Sequence, residues 1–321
     1  MIFQKLVLNK FKRILLYRRD PDGSVFYFDK DNFDGLCSID THFFGDKGQR
    51  LSAHFYYRAD RRTDRLIMFD HGMGCGHRAY MKEINTITER GYTVFTYDHT
   101  GTLDSEGADI GGFSQSLSDL DRAVKFVRSL DEYKDSKIAV IGHSWGGFST
   151  MNIPALHPDI THVVPISGFI SPKVVHEQVL IGPLKLYRNA MYSFEKERFP
   201  DYCHFDGRTS LEGVPTKALI IHSRDDGTCN FDIQFGKLEK ALSGNTRVEF
   251  LALDGKDHHP HYTAEAVRQR KEYNAELRAR KKKKKFPSRA ALETFANSYD
   301  WHKMTEQDMD VWNRIFEFIE K

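Results

Sequence analysis

The sequence of 321 residues predicts an α/β fold with a mostly parallel central sheet covered by helices on both faces. Three observations carry that expectation. Short apolar runs recur at Leu66 to Phe69, Thr93 to Tyr97, Ile138 to Ile141, Val163 to Ile166, Ala218 to Ile221 and Val248 to Leu253, each bounded by turn residues. Helical patterns separate them, the clearest being Leu117, Leu120, Ala123, Val124, Val127 and Leu130 at three- and four-residue spacing. Runs apolar on both faces suit parallel strands buried beneath helices better than a half-exposed antiparallel sheet.

The remaining elements fall around that frame. Residues 1–19 carry Ile2, Phe3, Leu6, Val7, Phe11, Ile14 and Leu15 on one stripe, which predicts an N-terminal amphipathic helix with a basic opposite face. Cys37 to Phe44 and Leu51 to Tyr57 alternate around Gly45-Asp46-Lys47-Gly48, the pattern of a β-hairpin. From residue 36 to 321 the chain reads as one domain, the unit that carries the motifs below. Two stretches interrupt the alternation: 168–214, read as a small cap insertion, and 278–288, a basic surface segment containing Lys281 to Lys285. Thr305, followed by Gln307 and Asp308, has the look of a helix start.

Composition narrows the function classes. Apolar residues make up 40% and charged residues 29%, enough apolar content to bury a sizeable core. A net charge of +2 gives no global attraction to nucleic acid, and no nucleic-acid module is present. Cys37, Cys75, Cys203 and Cys229 are scattered with no CxxC pair, so neither a disulfide framework nor a zinc site is expected, and a cytoplasmic location fits. Lys5, Lys10, Lys12 and Arg13 break up the N-terminal apolar residues, excluding a signal-peptide core or a membrane span there.

The chemistry concentrates in four loops. Gly142-His143-Ser144-Trp145-Gly146 follows one predicted strand and precedes a helical segment, the context of a GxSxG nucleophile elbow. A serine on so tight a turn tolerates no bulk two residues away, hence the glycines, and Ser144 is the candidate nucleophile. Acyl chemistry also needs two preorganised N–H donors for an oxyanion, and Trp145, at the helix start, supplies one candidate. The second is Met73, in the His71-Gly72-Met73-Gly74 loop after Leu66 to Phe69. Asp225 and Asp226 follow the strand Ala218 to Ile221. His258, His259 and His261 follow Val248 to Leu253, leaving several candidates for acid and base. His258-His259-x-His261 also has a spacing that binds metal, but no partner ligand accompanies it; metal and cofactor are both expected to be absent.

These loops resemble those of α/β-hydrolases over roughly residues 50–320. Within that superfamily the chain is most similar to the serine aminopeptidase-like and monoacylglycerol-lipase-like branch. Tyr97-Asp98 through Ser105-Glu106-Gly107 resembles the branch's D-x-x-G-x-G-x-S-x-G stretch, with altered spacing at Thr102-Leu103-Asp104. The resemblance implies an α/β-hydrolase fold and the order Ser, Asp, His. The branch's acid loop commonly reads G-x-x-D and its histidine loop G-x-x-H, so the roles carry onto Asp226 and His258. Ser223 replaces the first glycine, which keeps Asp225 in contention.

The expected function is therefore a serine hydrolase acting on a small-molecule carboxylic ester. An amide or peptide substrate is the alternative, followed by a non-catalytic binding protein with this fold. Phe169, Ile170, Leu180, Ile181, Leu184, Tyr187, Met191, Tyr192 and Phe194 of 168–214 are candidates for an acyl pocket. Peripheral membrane contact through residues 1–19 stands as an alternative to simple docking of that helix, and oligomeric state is not encoded in any motif.

Overall fold

A computed structural model describes residues 9, 12, 16–62, 64–74 and 76–321. The helix expected over 1–19 lies outside the described residues, apart from 9, 12 and 16–19. Those that are described sit on the body of the domain. Leu16 is buried, Lys12 stacks over the Phe194 ring, and the Arg18 guanidinium donates to the carbonyls of Leu103, Ser105 and Gly107.

Every apolar run singled out in the sequence is a strand. They are β1 (Cys37–Phe44), β2 (Arg50–Tyr57), β3 (Arg65–Asp70), β4 (Thr93–Tyr97), β5 (Lys137–His143), β6 (His162–Ile166), β7 (Lys217–Ser223) and β8 (Val248–Leu253). They form one sheet in the order β1-β2-β4-β3-β5-β6-β7-β8. The hairpin pairs antiparallel with itself and with β4, and every pairing from β4 to β8 is parallel.

Alternation along the strands divides the core into two layers. Leu66, Met68, Ile138 and Val140 face one layer, while Ile67, Phe69, Ala139 and Ile141 face the other. All eight are essentially without solvent exposure, and each fully buried aliphatic side chain contributes roughly 1.5–3 kcal/mol. That double burial is why β3 and β5 read as continuous apolar runs. β8, at the sheet edge, is only half-buried along its length.

Register then places the loops. β3 and β5 pair to their ends, Asp70 opposite Gly142, so the loops that begin at His71 and Ser144 emerge side by side. β7 and β8 pair from Ala218 and Val248 to Ser223 and Leu253, so the acid and histidine loops also leave together. All four exit at the carboxyl edge of the parallel strands, where open α/β sheets bind ligands.

The chain between β6 and β7 holds helices Pro172–Val179, Arg188–Arg198 and Gly207–Ser210 and the 3-10 turn Gly182–Tyr187. A buried carboxylate fastens it to the body. Glu195 accepts from the N–H groups of Phe113 and Ser114 and from the Ser114 hydroxyl, at the start of the helix Gln115–Ser129.

Two boundaries differ from the sequence reading. Asp308, not Thr305, caps the last helix, Met309–Glu320, accepting from the N–H groups of Asp310 and Val311. The Thr305 hydroxyl is already committed to the Trp301 carbonyl of the preceding short helix. In addition, the basic segment expected over 278–288 is divided, since Arg278 to Lys282 are the last turns of the helix Ala264–Lys282 and only the residues beyond leave it. Basic side chains in a last helical turn complement its dipole, which suits this run to a helix end.

Burial raises the Glu195 carboxyl above its ordinary range, although its hydrogen bonds pull the other way. The stability such a group contributes is present in acid and is lost as pH rises through its folded value. Glu195→Gln has no titrating group there, so wild type should gain stability relative to the variant as pH falls from about 8 to about 5. Urea unfolding of both proteins across that range checks this, and a pH-independent difference would count against it.

Candidate active site

The turn between β5 and the helix Trp145–Asn152 puts Ser144 at φ 58° and ψ −110°, a conformation in which a residue other than glycine is strained. The surroundings allow nothing larger at the flanking glycines. A Cβ on Gly146 would lie 2.0 Å from the Asp70 carbonyl oxygen, and one on Gly142 would lie 2.3 Å from the Gly146 carbonyl oxygen. The Ser144 N–H is fixed to the Ile166 carbonyl at 2.8 Å. The hydroxyl faces His258, whose Nε2 is 2.8 Å from Ser144 Oγ.

His258 Nδ1 lies 2.8 Å from Asp226 Oδ2. An ionised carboxylate only accepts, so Nδ1 carries the proton and Nε2 is free to accept from the serine. Asp226 Oδ1 accepts from the N–H groups of Thr228 and Cys229 at 2.7 and 2.8 Å. Burial works to raise this carboxyl, but hydrogen bonds and charge from His222 and His258 outweigh it and hold Asp226 well below the usual carboxylate range.

The neighbouring candidates have other partners. Asp225 accepts from the Ser223 hydroxyl and from the N–H groups of Lys256 and Asp257, tying the acid loop to the histidine loop. His259 stacks on Tyr262, and His261 pairs with buried Glu83 at 3.0 Å. The three histidines thus point to three different partners rather than to one metal position. Among the described residues, His54, His77 and Asp98 do lie close enough to hold an ion, but His77 already contacts Asp98 at 2.9 Å and Tyr56 Oη at 3.2 Å. None of the three lines the cavity at Ser144.

That cavity, about 630 Å³, is bounded by Met73, Trp145 and Ser144 together with Phe113, Phe169, Val175 and Val179. Met73 and Trp145 therefore share the cavity with Ser144, and Trp145 contributes the first N–H of its helix, an end with no acceptor within the helix. Of the aromatic and aliphatic residues expected to line an acyl pocket, Phe169 does so. Ile170, Met191 and Phe194 instead pack into the core, and Ile181 and Leu184 are exposed.

Two positioning networks have little or no signature in sequence. In the first, the Gly72 N–H donates to Tyr80 Oη at 3.1 Å, the Tyr80 hydroxyl donates to His143 Nδ1 at 2.8 Å, and His143 Nε2–H donates to the His258 carbonyl at 2.7 Å. The carbonyl can only accept, which fixes every other direction in the chain. Burial, with the neighbouring His258 and His261, holds His143 well below its ordinary range, consistent with this neutral tautomer. One hydroxyl thereby links the Met73 loop, the serine elbow and the histidine loop.

The second network lies behind the elbow. His99, packed against the Trp145 ring, sits 2.8 Å from Asp70 Oδ1 and 3.2 Å from Asp119 Oδ2. Burial alone would lower it, but these two carboxylates push it up to about 9. His71 accepts from the His99 N–H and donates to the Gly72 carbonyl, and burial with the nearby His99 lowers it to about 3. His143 was visible only as the variable residue of the elbow motif, and nothing in the sequence marked Tyr80 or His99.

The family model described as "Serine aminopeptidase, S33" matches residues 61–201. Among curated proteins, epoxide hydrolase 4 of Mus musculus is 28% identical over 169 residues, 51% of this chain and 45% of that protein. Cutinase 1 of Thermobifida cellulosilytica is 32% identical over 151 residues, 43% of this chain and 57% of the cutinase. The chain thus spans about half the length of the curated relatives it matches. Among solved structures, the Pyrococcus furiosus esterase Pf2001 superposes with a TM-score of 0.59 at 18% identity, covering 79% of this chain and 94% of the esterase. Est1E of Butyrivibrio proteoclasticus gives 0.56 at 17%, covering 74% and 98%.

Tyr80→Phe keeps the ring but leaves the buried Gly72 N–H and His143 Nδ1 without partners. Unpaired buried groups of this kind cost about 1–3 kcal/mol each, so the variant should unfold with a loss of that order in chemical denaturation. An unchanged midpoint would mean that the three loops do not depend on this hydroxyl.

Proposed function

We propose that this chain, a member of the α/β-hydrolase superfamily, is a serine hydrolase that cleaves carboxylic esters through Ser144, His258 and Asp226. The observation that carries the reading is the continuous hydrogen-bonded chain from Asp226 through His258 to Ser144 at the wall of an apolar cavity. In this reading His258 Nε2 takes the Ser144 proton as Oγ attacks the carbonyl carbon, and the same proton is then given to the departing alcohol. Asp226 holds the Nδ1–H tautomer and stabilises the imidazolium. The N–H groups of Met73 and Trp145 receive the oxyanion, each such donor contributing about 3 kcal/mol in the transition state. Water, activated by His258, then releases the acid.

Residues 168–214 act as the cap, a role supported by Phe169, Val175 and Val179 on the cavity wall. The esterases and cutinases among the relatives favour an ester bond. An amide substrate is the second reading, favoured by the serine aminopeptidase family model. Scattered cysteines suit a reducing, cytoplasmic setting. Among the described residues no helix is long and apolar enough to cross a membrane.

A fluorophosphonate probe should label folded wild-type protein and fail to label Ser144→Ala or heat-denatured protein. Asp226→Asn should retain the fold and lower kcat on a short-chain ester by about 10³–10⁴-fold, as expected when the base is held in the wrong tautomer. Labelling that persists in Ser144→Ala would place the nucleophile elsewhere.

A further inference from the structure

The helix Ala264–Lys282 begins just after the histidine loop, and its residues Val267, Arg270, Asn274 and Arg278, spaced by three and four, share one face. That face forms one wall of a second depression, about 200 Å³, which opens beside the cavity at Ser144. Thr228, His258, His259 and Arg270 line both spaces, so the two adjoin at His258.

Charge is distributed unevenly along this groove. Lys271 is shared between Asp225 and Asp257, 3.4 Å from each, which leaves that trio with one net negative charge. Arg270 and Arg278 take part in no ion pair among the described residues, and Arg270 stands 5.7 Å from the Tyr262 ring. The Arg270 charge is felt at the site: after burial it is the largest influence holding His259 below its ordinary range. Arg270 and Arg278 therefore face a groove whose single lining carboxylate, Asp257, is turned to Lys271, and together they outweigh the negative charge left on that trio.

The chemistry decides which part of a substrate meets them. In acylation the Ser144 Oγ–carbon bond forms and the carbon–alkoxy oxygen bond breaks, while the proton from Oγ passes through His258 Nε2 to the departing oxygen. Water then adds to the acyl carbon as its proton passes to His258 Nε2, the Ser144 Oγ–carbon bond breaks to release the acid, and His258 returns that proton to Oγ. The departing oxygen must point at His258 to receive its proton, and the groove that His258 also lines is the space open to the alcohol on that side. The acyl group is left against Phe113, Phe169 and Val175.

We infer that the preferred substrate is an ester of an apolar acid with an alcohol that bears an anion, a phosphate or a carboxylate, held by Arg270 and Arg278. This rests on the serine hydrolase reading above. Guanidinium groups suit it because they remain charged and bind either anion through paired N–H donors.

The test compares kcat/KM for butyrate esters of glycerol, glycerol phosphate and glycolate, using the full chain, Arg270→Gln, Arg278→Gln and the double variant, with thermal melts to verify folding. Wild type should favour an anionic ester over the neutral one by about tenfold or more, mainly through KM, as expected for a charge-assisted contact. The ratio should collapse in the double variant and shrink with added salt. Preference for the phosphate ester alone, or for both anionic esters, tells which anion the groove takes. Equal rates on the three esters, or a preference unchanged in the double variant, would overturn the inference while leaving fluorophosphonate labelling and neutral-ester hydrolysis intact. Loss of labelling and hydrolysis together would remove both readings.

Discussion

Everything at this site depends on how closely the backbone of the serine turn approaches the end of β3. The helix after Ser144 begins so near Asp70 that a methyl group on Gly146 would overlap a carbonyl oxygen, and Ser144 itself sits at positive φ. Such a turn costs free energy locally and persists only because its surroundings permit no other path. Double burial of β3 and β5, their register to the end of both strands and the anchoring of Ser144 N–H on Ile166 supply that constraint. The strain places Oγ clear of the sheet, and the same closeness lets the first N–H of the helix and the Met73 loop share one cavity.

Histidines are then sorted by their partners rather than by their type. His71 and His143, in contact with carbonyls and hydroxyls, are kept neutral by burial, and each therefore has one donor and one acceptor with a fixed direction. His99, equally buried, lies between two carboxylates and is held charged. The neutral pair can align loops without placing extra charge beside His258. The ionic cluster lies one layer back, where it braces Trp145 and leaves the cavity wall apolar. A second imidazolium at position 143 would oppose protonation of His258, so its neutrality matters to any base chemistry there.

Those sorting rules explain which parts of the molecule could be read from the sequence. Strands such as Ile138 to Ile141 were legible because two-sided burial leaves an unmistakable apolar run, and the elbow because close packing demands glycine at fixed spacing. Asp225 and Asp226 are adjacent and chemically identical, so only three-dimensional contacts separate the carboxylate that faces His258 from the one that braces the loop. Tyr80 was not legible at all: its partners lie 8 and 63 residues away in sequence, and a buried tyrosine reads as ordinary core. Thr305 misled for a related reason, since a hydroxyl that resembles a helix cap was already taken by an upstream carbonyl.

Two connections add walls to the cavity around the residues at the sheet edge. The stretch between β6 and β7, fastened to the body through Glu195, adds Phe169, Val175 and Val179 to an apolar wall shared with Met73, Phe113 and Trp145, and the helix that follows β8 adds Arg270. Strand register and the Ser144 N–H bond to Ile166 fix the serine, while both elements brace the loops of Asp226 and His258, Lys271 through Asp225 and Asp257 and Gln178 through the Thr228 carbonyl. The division follows from the sheet, which brings Ser144, Asp226 and His258 together at its carboxyl edge and leaves the space in front of them to be shaped by the connections.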